Sequence, residues 1–163
     1  MSLIKSFAMV GALVAASAVQ TVAGTVFRLE IGPPIAAGTG NKVLKDAKKA
    51  VFAVRAVVCD DLAAVRISGT AERIHDGVRQ SVPITLTEVD KAQAIYLVGQ
   101  QWPEDGPWLL HLKGSCSKPQ ASASTLVPVN RTTFNRAKTE VLREPATQAQ
   151  VDAALAALPR SQS

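Results

Sequence analysis

Few residues of this 163-residue chain could carry acid–base or nucleophilic chemistry. The sequence contains two histidines, His75 and His111. A hydrolase of the Ser/His/Asp type needs a histidine that is oriented by a carboxylate and touches a nucleophile. No G-x-S-x-G motif is present, and His75 and Asp76 are neighbours in sequence, which points their side chains in different directions. The sequence therefore predicts a protein that is not an enzyme.

Metal binding is the second chemistry that the histidines could support. The weak candidate ligands are His75, Asp76 and His111, and Asp60 and Asp61 are the carboxylates that would have to approach them. No H-x-H, H-x₃-H or Cys/His spacing forces these side chains together. The expectation is that no metal or cofactor is bound. Carriage of copper, zinc or a small ligand in the periplasm is the alternative function.

The first residues have the three parts of a secretory leader. Lys5 gives a positive start, residues 7–19 are apolar, and small residues before Ala18 and Ala23 suit a signal peptidase. An uncleaved membrane anchor is the alternative, but a spanning helix needs about 20 apolar residues and this run is shorter. We expect a signal peptide over residues 1–23 and a mature protein that is periplasmic or secreted, without a stable transmembrane anchor.

The charge balance is moderately basic. Eighteen Lys and Arg against 13 Asp and Glu give a formal net charge of +5. This excess favours contact with anionic surfaces such as lipid headgroups or cell-envelope polymers, but it is too small and dispersed to indicate nucleic acid. Lys45, Lys48 and Lys49 would share one face of a helix and could contact an acidic partner. A simple solvated face is the alternative for these lysines.

The two cysteines, Cys59 and Cys116, both follow the leader. An even cysteine count in an exported protein predicts that they pair as a structural disulfide between distant strands. A redox or metal role is the alternative. The sequence contains no C-x-x-C motif and places no histidine at ligand spacing from either cysteine.

The elements that would position these residues are short strands separated by turns. Apolar and polar residues alternate along several of them, which is typical of strands with one buried face. About seven strands with a turn every 8 to 12 residues or so predict an all-β fold, an antiparallel β-sandwich over residues 24–130. The predicted strands are 25–31, 51–59, 65–74, 81–87, 94–98, 108–113 and 121–129.

The strongest local signal is a hairpin centred on His75-Asp76-Gly77. Gly77 can take the positive φ that a tight turn requires. Pro83 in the returning strand has no N–H to donate to a neighbour, which predicts an edge strand or a bulge.

A helical tail is predicted over residues 131–163. Thr147 and Gln150 form a capping box, and residues 133–143 are expected to form another short helix. The tail could pack on the sandwich or on a partner. The apolar positions that follow the capping box at i, i+3, i+4 and i+7 are Val151, Ala154, Leu155 and Leu158.

Both tryptophans of the chain lie in the segment QQWPEDGPW, residues 100–108. Trp108 keeps the two-residue period of Leu110, Leu112 and Cys116, which predicts a position in the core beside the disulfide. Trp102 follows the end of the preceding strand, where a loop would leave it partly exposed. Trp102 is therefore the tryptophan that could contact a partner.

The chain combines a cysteine that ends a central strand (Cys59), a second cysteine late in the domain (Cys116) and a tryptophan on a core face (Trp108). This layout resembles the immunoglobulin-like β-sandwich proteins of the bacterial periplasm. The resemblance covers about residues 25–129 and implies the fold alone. The chain departs from antibody-like domains, in which a tyrosine precedes the second cysteine by two residues. It also lacks the His and Met ligands of the periplasmic copper carriers that the layout resembles.

The leading functional expectation is an exported, non-catalytic binding or accessory module of the cell envelope. It depends on the lack of a catalytic constellation together with a basic surface and an amphipathic tail. Another envelope protein or an anionic surface would be the partner. A protein partner could add a strand to an exposed sheet edge.

Overall fold

The computed structural model describes residues 26–34 and 48–159. The predicted signal peptide and Lys45 lie outside the described residues, within which no helix is long and apolar enough to cross a membrane. The described residues form ten strands and a C-terminal α-helix. The strands are β1 (Arg28–Gly32), β2 (Ala50–Val57), β3 (Arg66–His75), β4 (Val78–Ile84), β5 (Leu86–Asp90), β6 (Ile95–Gly99), β7 (Pro107–Ser117), β8 (Gln120–Asn130), β9 (Thr133–Phe134) and β10 (Glu140–Leu142), and the helix is α1 (Gln148–Ala156).

The strands form two antiparallel sheets. One has the order β1-β2-β6-β5, and the other has the order β10-β8-β7-β3-β4, with β9 also paired to β8. The predicted all-β sandwich with a short C-terminal helix is thus confirmed. The strands outnumber the predicted seven because the returning strand of the hairpin divides into β4 and β5 as it passes between the sheets, and because β9 and β10 lie beyond residue 130.

The side chain of Gln101 stabilises the backbone where the chain passes from β4 to β5. Thr85 lies between the two strands, and its backbone N–H donates to Gln101 Oε1 at 2.8 Å. The Thr85 carbonyl accepts from Gln101 Nε2 at 2.8 Å. The amide of Gln101 takes the place of a neighbouring strand, so both backbone groups are satisfied where the chain leaves one sheet for the other.

The main core lies between the two sheets. Trp108 is 1% exposed, which confirms its predicted core position. The expectation that it lies beside the disulfide is wrong, because Cys116 is eight positions further along β7, roughly 26 Å away. The Nε1 of Trp108 donates to the Pro103 carbonyl at 3.0 Å, and the Arg73 guanidinium lies 4.4 Å from the Trp108 ring centroid, a cation–π contact. Other large members of this core are Phe27, Leu29, Phe52, Val54, Val98, Leu110, Leu112 and Val127.

The predicted disulfide between Cys59 and Cys116 is present, with the two Cα atoms 5.9 Å apart. Cys59 follows β2 and Cys116 lies in β7, so the bond joins the two sheets. The backbone N–H of Asp60 donates to the Lys118 carbonyl beside it at 2.8 Å. Val58, just before the bridge, has a φ of 63°, a conformation that a β-branched residue rarely adopts and that the neighbouring contacts must hold in place.

The β3–β4 hairpin forms at the predicted position. Its two-residue loop has φ values of 50° at Asp76 and 75° at Gly77, as a type I′ turn requires. β4 lies at the edge of the six-stranded sheet. Pro83 therefore occupies the edge strand that its missing N–H predicts.

The C-terminal helix packs on the outer face of the six-stranded sheet. The capping box between Thr147 and Gln150 is formed as predicted. The apolar face of α1 is covered by the sheet, so it is not free to dock on a partner. The buried residues of this second core are Leu109, Leu126, Val151 and Leu155.

The prediction of a helix over residues 133–143 is wrong. That segment contains β9, a short 3₁₀ turn and β10. The Phe134 ring lies 5.5 Å from the Phe52 ring, and β10 pairs with β8. Burial of Phe134 and strand pairing outweigh the local helical preference. Strand pairing continues beyond residue 130, and the described helical part of the tail is α1.

Candidate functional site

The structure does not bring the two histidines together. His75 ends β3 and is exposed, with Nε2 3.5 Å from Asp76 Oδ2. His111 pairs with Thr70 on β3, five positions before His75, which puts the histidines on opposite faces and roughly 16 Å apart along the strand. Within residues 26–34 and 48–159, no group of three or more His, Cys, Asp or Glu side chains could hold a metal ion.

His111 lies instead beside a serine that no sequence motif marks. Its Nε2 is 3.4 Å from Ser124 Oγ. Glu72 is on the same face of the sheet, but its carboxylate accepts from Arg79 Nε at 2.8 Å. Ser124 is 1% exposed and its Oγ accepts the backbone N–H of Ala146 at 3.0 Å. A nucleophile must reach its substrate, so this hydroxyl serves to fix the start of α1.

The position beneath α1 changes the protonation of His111. Burial lowers the pKa of His111 below its ordinary value of 6.5, and the charges of Lys113 and Arg79 lower it further, while Glu72 opposes them. The imidazole is therefore neutral at pH 7. Protonation would place a charge in a site from which water is largely excluded.

We expect the free energy of unfolding to fall as the pH is lowered below about 6.5, because the unfolded chain then binds a proton at His111 that the folded protein binds less readily. Urea denaturation between pH 7 and pH 5 measures this slope. His111→Gln should reduce the slope, because it removes the buried imidazole. If the slope were unaltered in His111→Gln, His111 would not be the source of the pH dependence.

An ion-pair network ties α1 to the hairpin. Arg79 of β4 donates from Nε to Glu72 Oε2 at 2.8 Å and from Nη1 to Asp152 Oδ1 of α1 at 2.7 Å. The hydrogen bond that Arg79 donates to Glu72 raises the pKa of Arg79 above its ordinary value. The network fixes the helix on the sheet and, with it, one side of a cleft.

A cleft of about 1170 Å³ lies beside α1 on the outer face of β7 and β8. We call it the β8–α1 cleft. Its apolar floor includes Pro128, Phe134 and Leu158, which are partly exposed, and buried Leu126 lies beneath it. Residues 131–139, which connect β8 to β10, line the cleft together with the C-terminal end of α1, residues 104–106 of the β6–β7 loop and Pro107 at the start of β7.

Residues 131–139, with the sequence RTTFNRAKT, carry three cations and no acid. We call them the basic segment. Arg131, Arg136 and Lys138 are all exposed, and none forms an ion pair with another described residue. The carboxylates in the cleft lining are Glu104, Asp105 and Glu140.

Buried Arg73 neutralises one of these carboxylates. Its Nη1 donates to Asp105 Oδ1 at 2.6 Å and its Nη2 to Oδ2 at 3.0 Å, while its Nε donates to Gln80 Oε1 at 2.6 Å. The hydrogen bonds from Arg73 hold the pKa of Asp105 below its ordinary value of 3.8. Three cations therefore share the cleft with two carboxylates that have no such partner, and the lining has a positive excess.

The structure contradicts the partial exposure predicted for Trp102, on which its possible contact with a partner depended. The side chain is 3% exposed and packs in the main core. Its Nε1 donates to the Arg131 carbonyl at 3.2 Å, and Arg131 takes a φ of 53° in the turn that follows β8. Trp102 thus lies behind the basic segment, where its fluorescence can report events in the cleft.

The predicted lysine face is described in part. Lys48 and Lys49 have helical backbone just before β2, and both are exposed. Neither lines the β8–α1 cleft. A partner that used these lysines would therefore contact a different surface from one bound in the cleft.

The cleft has one sequence signal, the three cations without an acid in residues 131–139. Its apolar floor depends on the position at which α1 packs on the sheet, and no local sequence pattern specifies that position. Comparison of the chain with protein-family models, curated proteins and solved structures gives no match. The function proposed below is therefore derived from the chain's own residues.

Proposed function

We propose that this protein is an exported, non-catalytic binding module of the cell envelope, built on an immunoglobulin-like sandwich, and that the β8–α1 cleft is its ligand site. The observation that carries the proposal is an apolar floor bordered by the basic segment in one half-open cleft. Ligand sites generally combine apolar surface with a few placed polar groups. The leader-like residues 1–23 and the disulfide support export, because disulfides persist in oxidising compartments.

The ligand that fits this cleft is an acidic peptide segment with interspersed apolar side chains, supplied by another envelope protein. Its carboxylates would pair with the basic segment, and its apolar side chains would cover the floor. The cleft volume of about 1170 Å³ exceeds the range of roughly 300–1000 Å³ common for small-molecule pockets. An extended peptide uses such a volume more fully than a single small carboxylate does.

Binding of a short fluorescent peptide of alternating Asp and Leu, followed by anisotropy, tests the proposal. The triple variant R131A/R136A/K138A should bind about tenfold more weakly, because exposed ion pairs contribute about 0.2–1 kcal/mol each. Added salt should weaken binding to the unmodified protein. A change in tryptophan fluorescence gives an independent readout, since one of the two tryptophans, Trp102, donates from Nε1 to the Arg131 carbonyl.

The matched control is K48A/K49A/K91A, which removes the same charge from exposed positions outside the cleft lining. It should keep the affinity of the unmodified protein. Equal losses in the two triple variants, or equal binding of a peptide with Asn in place of Asp, would refute the assignment. Binding of N-acetylaspartate as tightly as the peptide would instead favour carriage of a small ligand.

A further inference from the structure

A second cationic surface lies on the outer face of the six-stranded sheet, next to the start of α1. A recess of about 490 Å³ is formed there, with Pro145 in its lining. Two cross-strand rows of β3, β7 and β8 supply its polar side chains. The first row is Arg66, Ser115 and Ser122, and the second is Ser68, Lys113 and Ser124. We call this surface the serine–cation recess.

The two cations of the recess are diagonal neighbours on paired strands. Arg66 faces Ser115, two positions beyond Lys113, so the Cβ atoms of the two cations are roughly 7 Å apart. Two long basic side chains that start this close together on one face can both reach a single bound anion. In the described part of the chain, neither side chain forms an ion pair, and the recess lining contains no carboxylate.

The Arg66 guanidinium is held in place before any ligand arrives. Its Nη1 donates to the carbonyls of Ala64 and Val65, each at 3.2 Å. The remaining guanidinium N–H groups and the Lys113 ammonium are strong donors for an oxyanion. Three hydroxyls of the same rows, those of Ser68, Ser115 and Ser122, belong to exposed residues, whereas the Ser124 hydroxyl is buried and accepts the Ala146 N–H.

We propose that the serine–cation recess binds the phosphate group of a phosphomonoester or phosphodiester. A tetrahedral oxyanion accepts hydrogen bonds from guanidinium, ammonium and hydroxyl donors together, and its negative charge attracts both Arg66 and Lys113. α1 packs on the same face of the sheet and projects from it. We therefore expect a single headgroup or polymer chain to reach the recess more easily than the surface of a flat bilayer does. This site is separate from the cleft and does not depend on peptide binding there.

The proposal is tested by amide chemical shifts during titration of the full chain with inorganic phosphate and with glycerol 3-phosphate. Both ligands should shift amides of the recess, such as those of Ser68, Lys113 and Ser115. K113A and R66A should each weaken binding about tenfold, the usual effect of losing a charged hydrogen-bond partner. K91A, at an exposed lysine in the β5–β6 turn, should bind phosphate as the unmodified protein does.

Shifts spread evenly over the exposed lysines, or unchanged binding in R66A/K113A, would overturn the proposal. Vesicles of phosphatidylglycerol distinguish the sources of phosphate. They should bind more weakly per phosphate than glycerol 3-phosphate does, because α1 limits their approach. The proposal would also be overturned if R66A/K113A bound vesicles as well as the unmodified protein does and soluble phosphate shifted no amide of the recess. Equal thermal unfolding of both proteins establishes that the variant is folded.

Discussion

Replacement of both Cys59 and Cys116 by alanine is expected to lower the free energy of unfolding by about 4 kcal/mol. The bond links residues separated by 57 positions, so its removal frees the unfolded chain from a long closed loop and raises its entropy. Small domains are stable by only about 5–15 kcal/mol. The loss is therefore a large share of the total, and urea denaturation measures it directly.

The unmodified protein under reducing conditions is the matched control for this change. It keeps both sulfur atoms and the packing of Cys116, which is 3% exposed in the core. Its stability should fall nearly as far as that of the double variant, with the difference due to lost packing. A loss below about 1 kcal/mol in both proteins would contradict the role of the bridge as a staple between the sheets.

Trp108→Ala is expected to cost about 3–5 kcal/mol, as large truncations in a core do. Trp108 is 1% exposed, and its ring also carries the Arg73 guanidinium at 4.4 Å. Truncation would leave that buried guanidinium without its aromatic surface and would free the Pro103 carbonyl from its hydrogen bond. Chemical denaturation of the variant measures the cost.

Trp108→Phe is the milder companion variant if the alanine variant does not fold. It keeps an aromatic face beneath Arg73 and loses the indole N–H, so a cost of about 1–2 kcal/mol is expected. A stability of Trp108→Ala close to that of the unmodified protein would show that the ring does not anchor the core.

Features specified by a few neighbouring residues could be predicted from the sequence. The Asp76-Gly77 turn follows from the backbone freedom of these two positions, and the edge position of β4 follows from the missing N–H of Pro83. The cap of α1 follows from Thr147 and Gln150, which contact each other across one turn. In each case the determinant and its effect lie within a few residues.

The features that the sequence did not reveal depend on distant contacts. Trp102 is buried because its indole reaches Arg131, 29 positions away. Phe134 lies in a short strand and not in the expected helix, because its ring packs on Phe52 in the facing sheet. His111 has the outward direction that strand alternation predicts, yet it is covered because α1 packs over that face.

The candidate site divides in the same way. The positive charge of the basic segment is visible in RTTFNRAKT, since three cations occur there without an acid. The apolar floor is not visible, because Leu126 and Leu158 meet only after α1 packs on the sheet. Cations in a loop commonly form a solvated surface, and only the fold places these beside an apolar cleft.

The central claim is that an acidic peptide binds in the β8–α1 cleft, and photo-crosslinking tests it most directly. The Asp and Leu peptide would carry a benzophenone group, and the crosslinked residues would be identified by mass spectrometry. We expect crosslinks in residues 131–139 and at Leu158, and their loss in R131A/R136A/K138A. Crosslinks confined to Lys48 and Lys49 or to the β4 edge, unaffected by the triple variant, would contradict the account.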